Sequence, residues 1–556
     1  MRCVIALLAA AAVAVPAQAG LLVKSANPAD LNFTQCDGYA APGKKSDGIT
    51  VGTWMFGLAT TAVDQRRGKT QLGAAGLAAC DTALADPRVQ EFATRRGHLW
   101  QAKAIHQISL GKLDDALVSL DRSDSEGRAE PYFDQSLGQG NRALRAVVLH
   151  GKGKNAEADA MLDRIEQLRP YAISQRQMAL RIRLQFEDDR AKQAALMERL
   201  APVFPSANHQ LFWQSMVYGD LDNALRYAAA VSHADPKQHG GWTSAEAFKE
   251  KYLDIVERSD FEGALAYALY VTGQVGPSAE RLKLAEDAAN NYLAPPPPPP
   301  PGESWSKKVR QDYEARKLTG GKALEQLKMW RANIATRAEA PKMTVEELMK
   351  SIDESKQRMP MIGDIMSHAR SDSLEESQKV NEFSKAIATA LDEERLKSTR
   401  MDFQELVTLL PRPETARSRL RFKQEDGILG SGLDGYAIKR DQPPGATTVR
   451  YGTSAGTLAQ VDEGALLAAA QFAQKEGKDA FLIDAREPIQ RTTTFTTCYY
   501  ACGPGVPMNS GYEVQLVVRP IAAASAREDE RKRLLRTADV IAALAPRLIS
   551  QTAGGN

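Results

Sequence analysis

The chain is poor in the residues that most often carry chemistry. Its 556 residues include 7 histidines and 5 cysteines, and no histidine follows His368. A histidine-dependent triad or zinc site therefore cannot be assembled from the last third of the chain alone. Bulk charge is also missing: the net charge is +2, which argues against nucleic acid or an anionic membrane as a partner. Beyond the first 19 residues, no apolar run approaches the roughly 20 residues of a membrane helix. Aromatic residues make up 6% of the chain. Alanine is abundant, which suits close-packed helices, and the length implies several domains.

The chain opens "MRCVIALLAAAAVAVPAQAG", with Arg2 before an apolar run from Cys3 to Val15 and Ala17-Gln18-Ala19 after it. This is the pattern of a cleaved secretory signal over 1–19, so a periplasmic or secreted protein is expected. Cys3 opens the apolar run, far ahead of the cleavage point, and cannot carry a lipid there. Four cysteines then remain: Cys36, Cys80, Cys498 and Cys502. An even count in an exported chain favours disulfides over metal, with three pairings open. The local pairing, Cys36–Cys80 and Cys498–Cys502, is preferred. Extended, residues four apart lie about 13 Å apart, so "TFTTCYYACGPG" must turn between its cysteines to bring them within bonding reach. Closing that short loop is worth about 2 kcal/mol, against about 4 for Cys36–Cys80.

A spacing recurs through the first half. Ala75 and Pro87, Ala158 and Pro170, and Ala224 and Pro236 share one separation. Helix-breaking turns precede four alanines: "GKLDDA" ends at Ala116, "GKNAEA" at Ala158, "GDLDNA" at Ala224 and "SDFEGA" at Ala264. A further unit is expected near Ala191. A small residue lets two antiparallel helices approach, a turn joins them, and a proline ends the second. One such hairpin cannot bury its own apolar face, so several must stack. Trp100, Gly111, Ala116, Ala158, Ile165, Pro170, Ala224 and Pro236 fall where the tetratricopeptide repeat family places its repeat-packing residues, and residues 55–277 resemble that family. The resemblance implies a solenoid whose surface holds a peptide or partner protein. His233 and His239 flank Asp235-Pro236 in a loop, where no third ligand makes a metal site.

Seven prolines, Pro295–Pro301, predict a stiff polyproline spacer about 20 Å long, rather than a docking motif. Residues 305–412 read as charged helices. "TVEE" from Thr344 and "SLEE" from Ser373 have capping-box form, and Val380, Phe383, Ile387 and Leu391 form a packing stripe. Met359, Met361 and Met366 are expected to fill core space.

From about Pro413, β-branched runs appear: "LDGYAIKR", "ATTVRYG", "AFLIDA", "IQRTTTFTT" and "GYEVQLVVR". A helix closing at Gly477 follows the second. The order β-β-α-β-β-β predicts a small antiparallel α+β domain, with the Cys498–Cys502 pair between the last two strands. Its "ALLAAAQFAQKEG" helix and following strand resemble a domain of uncharacterised bacterial lipoproteins, which implies envelope residence and no reaction. "GTSAG" around Ser454 has the form of a nucleophile elbow, but without a later histidine Ser454 reads as a turn serine capping the helix. "GSGLDG" at 430–435 precedes a strand rather than a helix, so it offers no pyrophosphate site. "TGGKAL" lacks the rest of a phosphate loop. A final amphipathic helix is expected from Ser525, with Leu534, Ala538, Ile541 and Leu548 on one face, packed on its own domain.

The expected chain is mainly α. A signal occupies 1–19, an extension 20–54, repeats 55–290, a proline linker 291–304, charged helices 305–412, the α+β domain 413–522 and a helix with tail 523–556. The function this favours is an interaction scaffold of the bacterial envelope, without cofactor or metal. The rival readings are a serine hydrolase using Ser454 and a cell-wall-binding structural protein.

Overall fold

A computed structural model describes residues 28–44, 46–54, 60–64, 70–231, 245–355, 361–399, 401–414, 420, 422–424, 435–440, 447–453, 456–495 and 506–548. The expected signal, the Cys498–Cys502 pair, Ser454, the histidines flanking Pro236, Pro236 itself and Met359 lie outside the described residues.

The described chain is mainly helical, with a small antiparallel sheet near its C-terminus. It begins with α1 (Pro28–Asp37), a hairpin of β1 (Thr50–Trp54) and β2 (Thr60–Asp64), and α2 (Ala74–Ala85). Five helical hairpins follow. They pair α3 (Ala93–Ser109) with α4 (Leu113–Gly127), α5 (Leu137–Gly151) with α6 (Asn155–Leu168), α7 (Ile173–Phe186) with α8 (Arg190–Leu200), α9 (Ser206–Val217) with α10 (Leu221–Ala228), and α11 (Ala245–Val271) with α12 (Val275–Leu293).

Four of these hairpins close by one local device. Gly111, Gly153, Gly219 and Gly273 have φ of 71°, 74°, 70° and 83°. Each glycine N–H bonds three residues back, and the next residue's N–H bonds five back, as from Lys112 to Gln107 O and from Lys154 to Leu149 O. This Schellman arrangement needs the left-handed backbone that glycine adopts without steric cost. The second helix starts two residues after the glycine, and its fourth residue packs into the partner helix. That residue is Ala116, Ala158 and Ala224 in three hairpins, each at most 2% exposed. In α12 it is Ser278, whose hydroxyl donates to Ala266 O at 2.7 Å.

Two details differ from the sequence reading. The unit near Ala191 is present, but Ala191 is exposed and Gln193 is the buried residue. Its amide donates to Leu184 O and Glu187 O, replacing the glycine turn with side-chain hydrogen bonds. "SDFEGA" is not a turn: it lies inside α11, where Gly263 leaves room for the Trp330 ring. The Trp330 Nε1–H donates to Asp260 at 2.7 Å, holding the indole against this helix.

The middle region comprises α13 (Lys307–Glu339), α14 (Val345–Ser355), α15 (Ile362–Ser367), α16 (Leu374–Thr399) and α17 (Phe403–Leu409). The proline run does not hold two regions apart, because α13 packs back on both α11 and α12. The fully buried Trp330 centres that core, which Met361 and Met366 help to fill. The Thr344 and Glu347 capping box is present. At Ser373 the reciprocal bond from Glu376 goes to the Asp372 N–H instead. "TGGKAL" lies within α13, with Gly320 against Leu293.

The C-terminal domain contains β3 (Gly435–Arg440), β4 (Thr447–Thr453), α18 (Leu458–Lys475), β5 (Ala480–Phe495), β6 (Val506–Ile521), α19 (Glu528–Arg531), β7 (Leu535–Arg536) and α20 (Thr537–Leu548). Strand order is β3-β4-β6-β5-β7, antiparallel throughout. "AFLIDA" and "IQRTTTFTT" are not separate strands: the first and most of the second form one 16-residue β5, whose register with β6 shifts at Ile483/Ala485 and Arg491/Thr492. Such shifts let a strand bend without ending. Cys498 and Cys502 fall in the connection between β5 and β6. The cap of α18 is Thr457, reciprocated by Gln460, rather than Ser454. The last helix does not run from Ser525. It is interrupted because Leu535–Arg536 extends the sheet beside Ala480 and Phe481.

Candidate functional site

The apolar residues of α5 and α7 share a cluster with a later part of the same chain. Met401, Leu406, Val407 and Leu410 are buried with Ala143, Leu144, Met178 and Ile182. The later segment crosses the first helices of three hairpins. Gln185 of α7 donates to Met401 O at 3.3 Å, and Arg181 of α7 pairs with Glu405 at 2.8 Å. A Cβ on Gly140 of α5 would sit in ordinary contact with Pro411 at 3.6 Å but only 2.6 Å from Gln101 Nε2, so glycine there makes room for the Gln101 amide. Leu410, Pro411 and Arg412 then reach a cleft beside Gln101 and Ile105 of α3. Asp402 caps α17 by accepting from the Glu405 N–H at 2.7 Å. The resident segment is thus a two-turn amphipathic helix, then Leu-Pro, then an acidic residue.

That acidic residue, Glu414, enters an ionic seam in which Arg169, Glu414 and Glu463 are buried and Arg547 reaches the edge. Arg169, just past α6, donates to Glu414 at 2.7 Å and to both Glu463 oxygens at 3.0 and 2.6 Å. Arg547 of α20 donates to the same Glu463 oxygens at 2.9 and 3.1 Å. Two cations and two anions balance, which burial demands. Burial pushes the Glu414 carboxyl up, and Arg169 opposes this without reversing it. Burial acts on Glu463 too, but its two arginines hold it below its ordinary value. Beside it, Asp462 accepts from Arg486 at 2.6 Å and from the Ser174 N–H of α7 at 3.3 Å. Ile173, Leu200 and Val203 of the hairpins also share a core with α18 and the sheet. The C-terminal domain is therefore docked on the repeats, not set apart from them.

A second ionic cluster lies at the other end of the hairpins. Asp37 accepts from Arg95 and pairs with His98 Nδ1 at 2.9 Å. Burial alone would push the Asp37 carboxyl up, but Arg95 and the His98 hydrogen bond outweigh it and hold it well below the usual carboxylate range. Cys36, next in chain, is disulfide-bonded to Cys80. Cys36, Asp37 and His98 floor the α3 cleft, whose empty space, counted out into its open mouth, is about 500 Å³.

Of the repeat residues read from sequence, Gly111 makes a turn and Ala116, Ala158 and Ala224 are buried contacts. Trp100 is half-buried, with Lys103 Nζ 4.9 Å from its ring centre. Pro170 is exposed after α6. Ala116 and Ala158 belong to the same buried cluster as Met401, Leu406, Val407 and Leu410. Sequence reasoning missed Arg169, Glu414 and Glu463. The available signal was Asp462-Glu463 as the charged pair inside the mostly apolar "LAQVDEGALLAAAQF", since charges so placed must be paired.

Comparisons with protein-family models, curated proteins and solved structures return no match for this chain.

Proposed function

We propose that the protein is a non-catalytic interaction scaffold, tetratricopeptide-repeat-like in its first half, that holds a peptide or partner protein on the first-helix face of its hairpins. The observation that supports this most is the occupant of that face, Met401–Glu414, which lies across α3, α5 and α7 as a bound peptide would. A partner using the same face presents the same chemistry: a short amphipathic helix, a Leu-Pro step and a carboxylate for Arg169. It competes with the resident segment. The signal-like N-terminus supports a site of action in the bacterial envelope or outside the cell.

The test uses a labelled peptide with the sequence of residues 401–414 and the variant Leu406→Asp/Leu410→Asp, which loosens the resident copy. Saturable binding to the folded variant, and much weaker binding to the parent, is the expected result by fluorescence anisotropy. Equal silence from both sinks the reading. N-terminal sequencing of the mature protein should begin at Gly20. Labelling of Ser454 by a fluorophosphonate would overturn the non-catalytic assignment.

A further inference from the structure

We propose that Cys36 and Cys80 form a redox-gated metal site: once reduced, they bind a zinc-class divalent cation together with His106. The donor atoms of the three residues lie within 4.8 Å of one another. All three residues are buried, at 1%, 0% and 1% exposure. The His106 Nε2 lies 2.8 Å from Cys36 O. A carbonyl oxygen only accepts, so Nε2 carries the proton and Nδ1 keeps its lone pair. That Nδ1 has no hydrogen-bond partner although it is buried. A buried acceptor without a donor is unfavourable and calls for an explanation.

The arrangement is that of a metal-ligand histidine, whose second ring N–H donates to a backbone carbonyl and orients the first nitrogen. Burial lowers the His106 pKa, favouring the neutral ring that ligation requires. Gly76 and Cys80 lie one turn apart on α2, and a Cβ on Gly76 would fall 2.6 Å from Nδ1. Glycine there leaves the ring its place beside the cysteines. Asp37 is committed to Arg95 and His98 and is no ligand.

Two thiolates and a neutral imidazole compensate a 2+ charge with nothing left over, which favours a divalent ion over Cu(I) in a buried site. The cleft is lined by Cys36 and His106 and gives the approach, with a water completing a tetrahedral shell. Reduction proceeds by thiol–disulfide exchange with a dithiol donor. Its thiolate attacks one sulfur, a mixed disulfide forms, and its second thiol releases the protein. Two electrons and two protons pass to Cys36 and Cys80, and the donor leaves as a disulfide. The cation then displaces the two thiol protons.

The test uses the full chain with Cys3, Cys498 and Cys502 changed to Ser, reduced anaerobically by a phosphine and titrated with Co²⁺. One equivalent should bind with tetrahedral thiolate–cobalt absorbance, Zn²⁺ should displace it, and the oxidised protein should bind none. His106→Gln still donates to Cys36 O, yet should weaken Co²⁺ binding by at least about 100-fold, more than loss of an outer-shell partner costs. Absence of stoichiometric cobalt in the reduced protein, or equal affinity in His106→Gln, overturns the proposal. Should that variant not fold, X-ray absorption of the zinc-loaded parent decides: two sulfurs with an imidazole support the site, and a shell without imidazole overturns it.

Discussion

Arg95 and Arg169 are both wholly buried guanidiniums, and they do different jobs. Arg95 finds its carboxylate, Asp37, 58 residues back, within a unit that the Cys36–Cys80 bond also closes. Arg169 finds Glu463 294 residues ahead and Glu414 245 ahead. The pairing chemistry is the same, because neither charge can be left alone in a low-dielectric interior. The consequences differ with the span. One pair stitches a local unit, and the other makes the repeats, the resident segment and the C-terminal domain a single body.

The sharpest way to break this contrast is Glu463→Ala, which leaves Arg169 and Arg547 facing each other without their shared carboxylate. It should cost about 5 kcal/mol in urea unfolding, and a loss below about 1 kcal/mol would mean the two halves stand independently. Opening the Cys36–Cys80 bridge comes next, at about 4 kcal/mol from the entropy of the closed loop. Its loss should be read in the unfolding of the N-terminal unit, with the far seam intact.

Asp37→Asn should cost about 3 kcal/mol at neutral pH, since it strands the buried Arg95. Asp37 titrates below its unfolded value of about 3.9, so its contribution is complete above that value and is lost as pH falls below it. The difference between parent and Asp37→Asn should therefore shrink in acid. A constant difference from pH 7 to pH 2 would show that Asp37 acts by packing rather than charge. The smallest expected effect is Gly111→Ala, about 1 kcal/mol for an alanine forced into the left-handed region. Thermal melts of the matching changes at Gly153 and Gly219 should give the same value if the turns are equivalent.

The glycine turns and the alanine positions were legible because each is a local matter. The bonds that close Gly111 or Gly153 involve carbonyls five residues away or fewer, so the sequence window contains the whole device. Gln193 and Ser278 hid the packing positions of their units, since a polar residue replaces the alanine and satisfies itself by hydrogen bonds that no spacing reveals. "SDFEGA" misled for the converse reason: its glycine serves the Trp330 ring, which belongs to α13. The break in the last helix depended on a partner strand more than 50 residues away.

The sequence by itself determined the helical hairpins, their glycine closures and the strand-rich character of the end, because short-range backbone geometry and hydrophobic period decide these; it left three cysteine pairings open, of which the fold makes Cys36–Cys80. Only the tertiary structure decided that Met401–Glu414 covers the repeat face, that Arg169 and Glu463 meet, and that His106 Nδ1 is left facing two sulfurs. Those pairings are chosen by charge balance and the exclusion of water in a closed core, and neither exists until distant parts of the chain have come together.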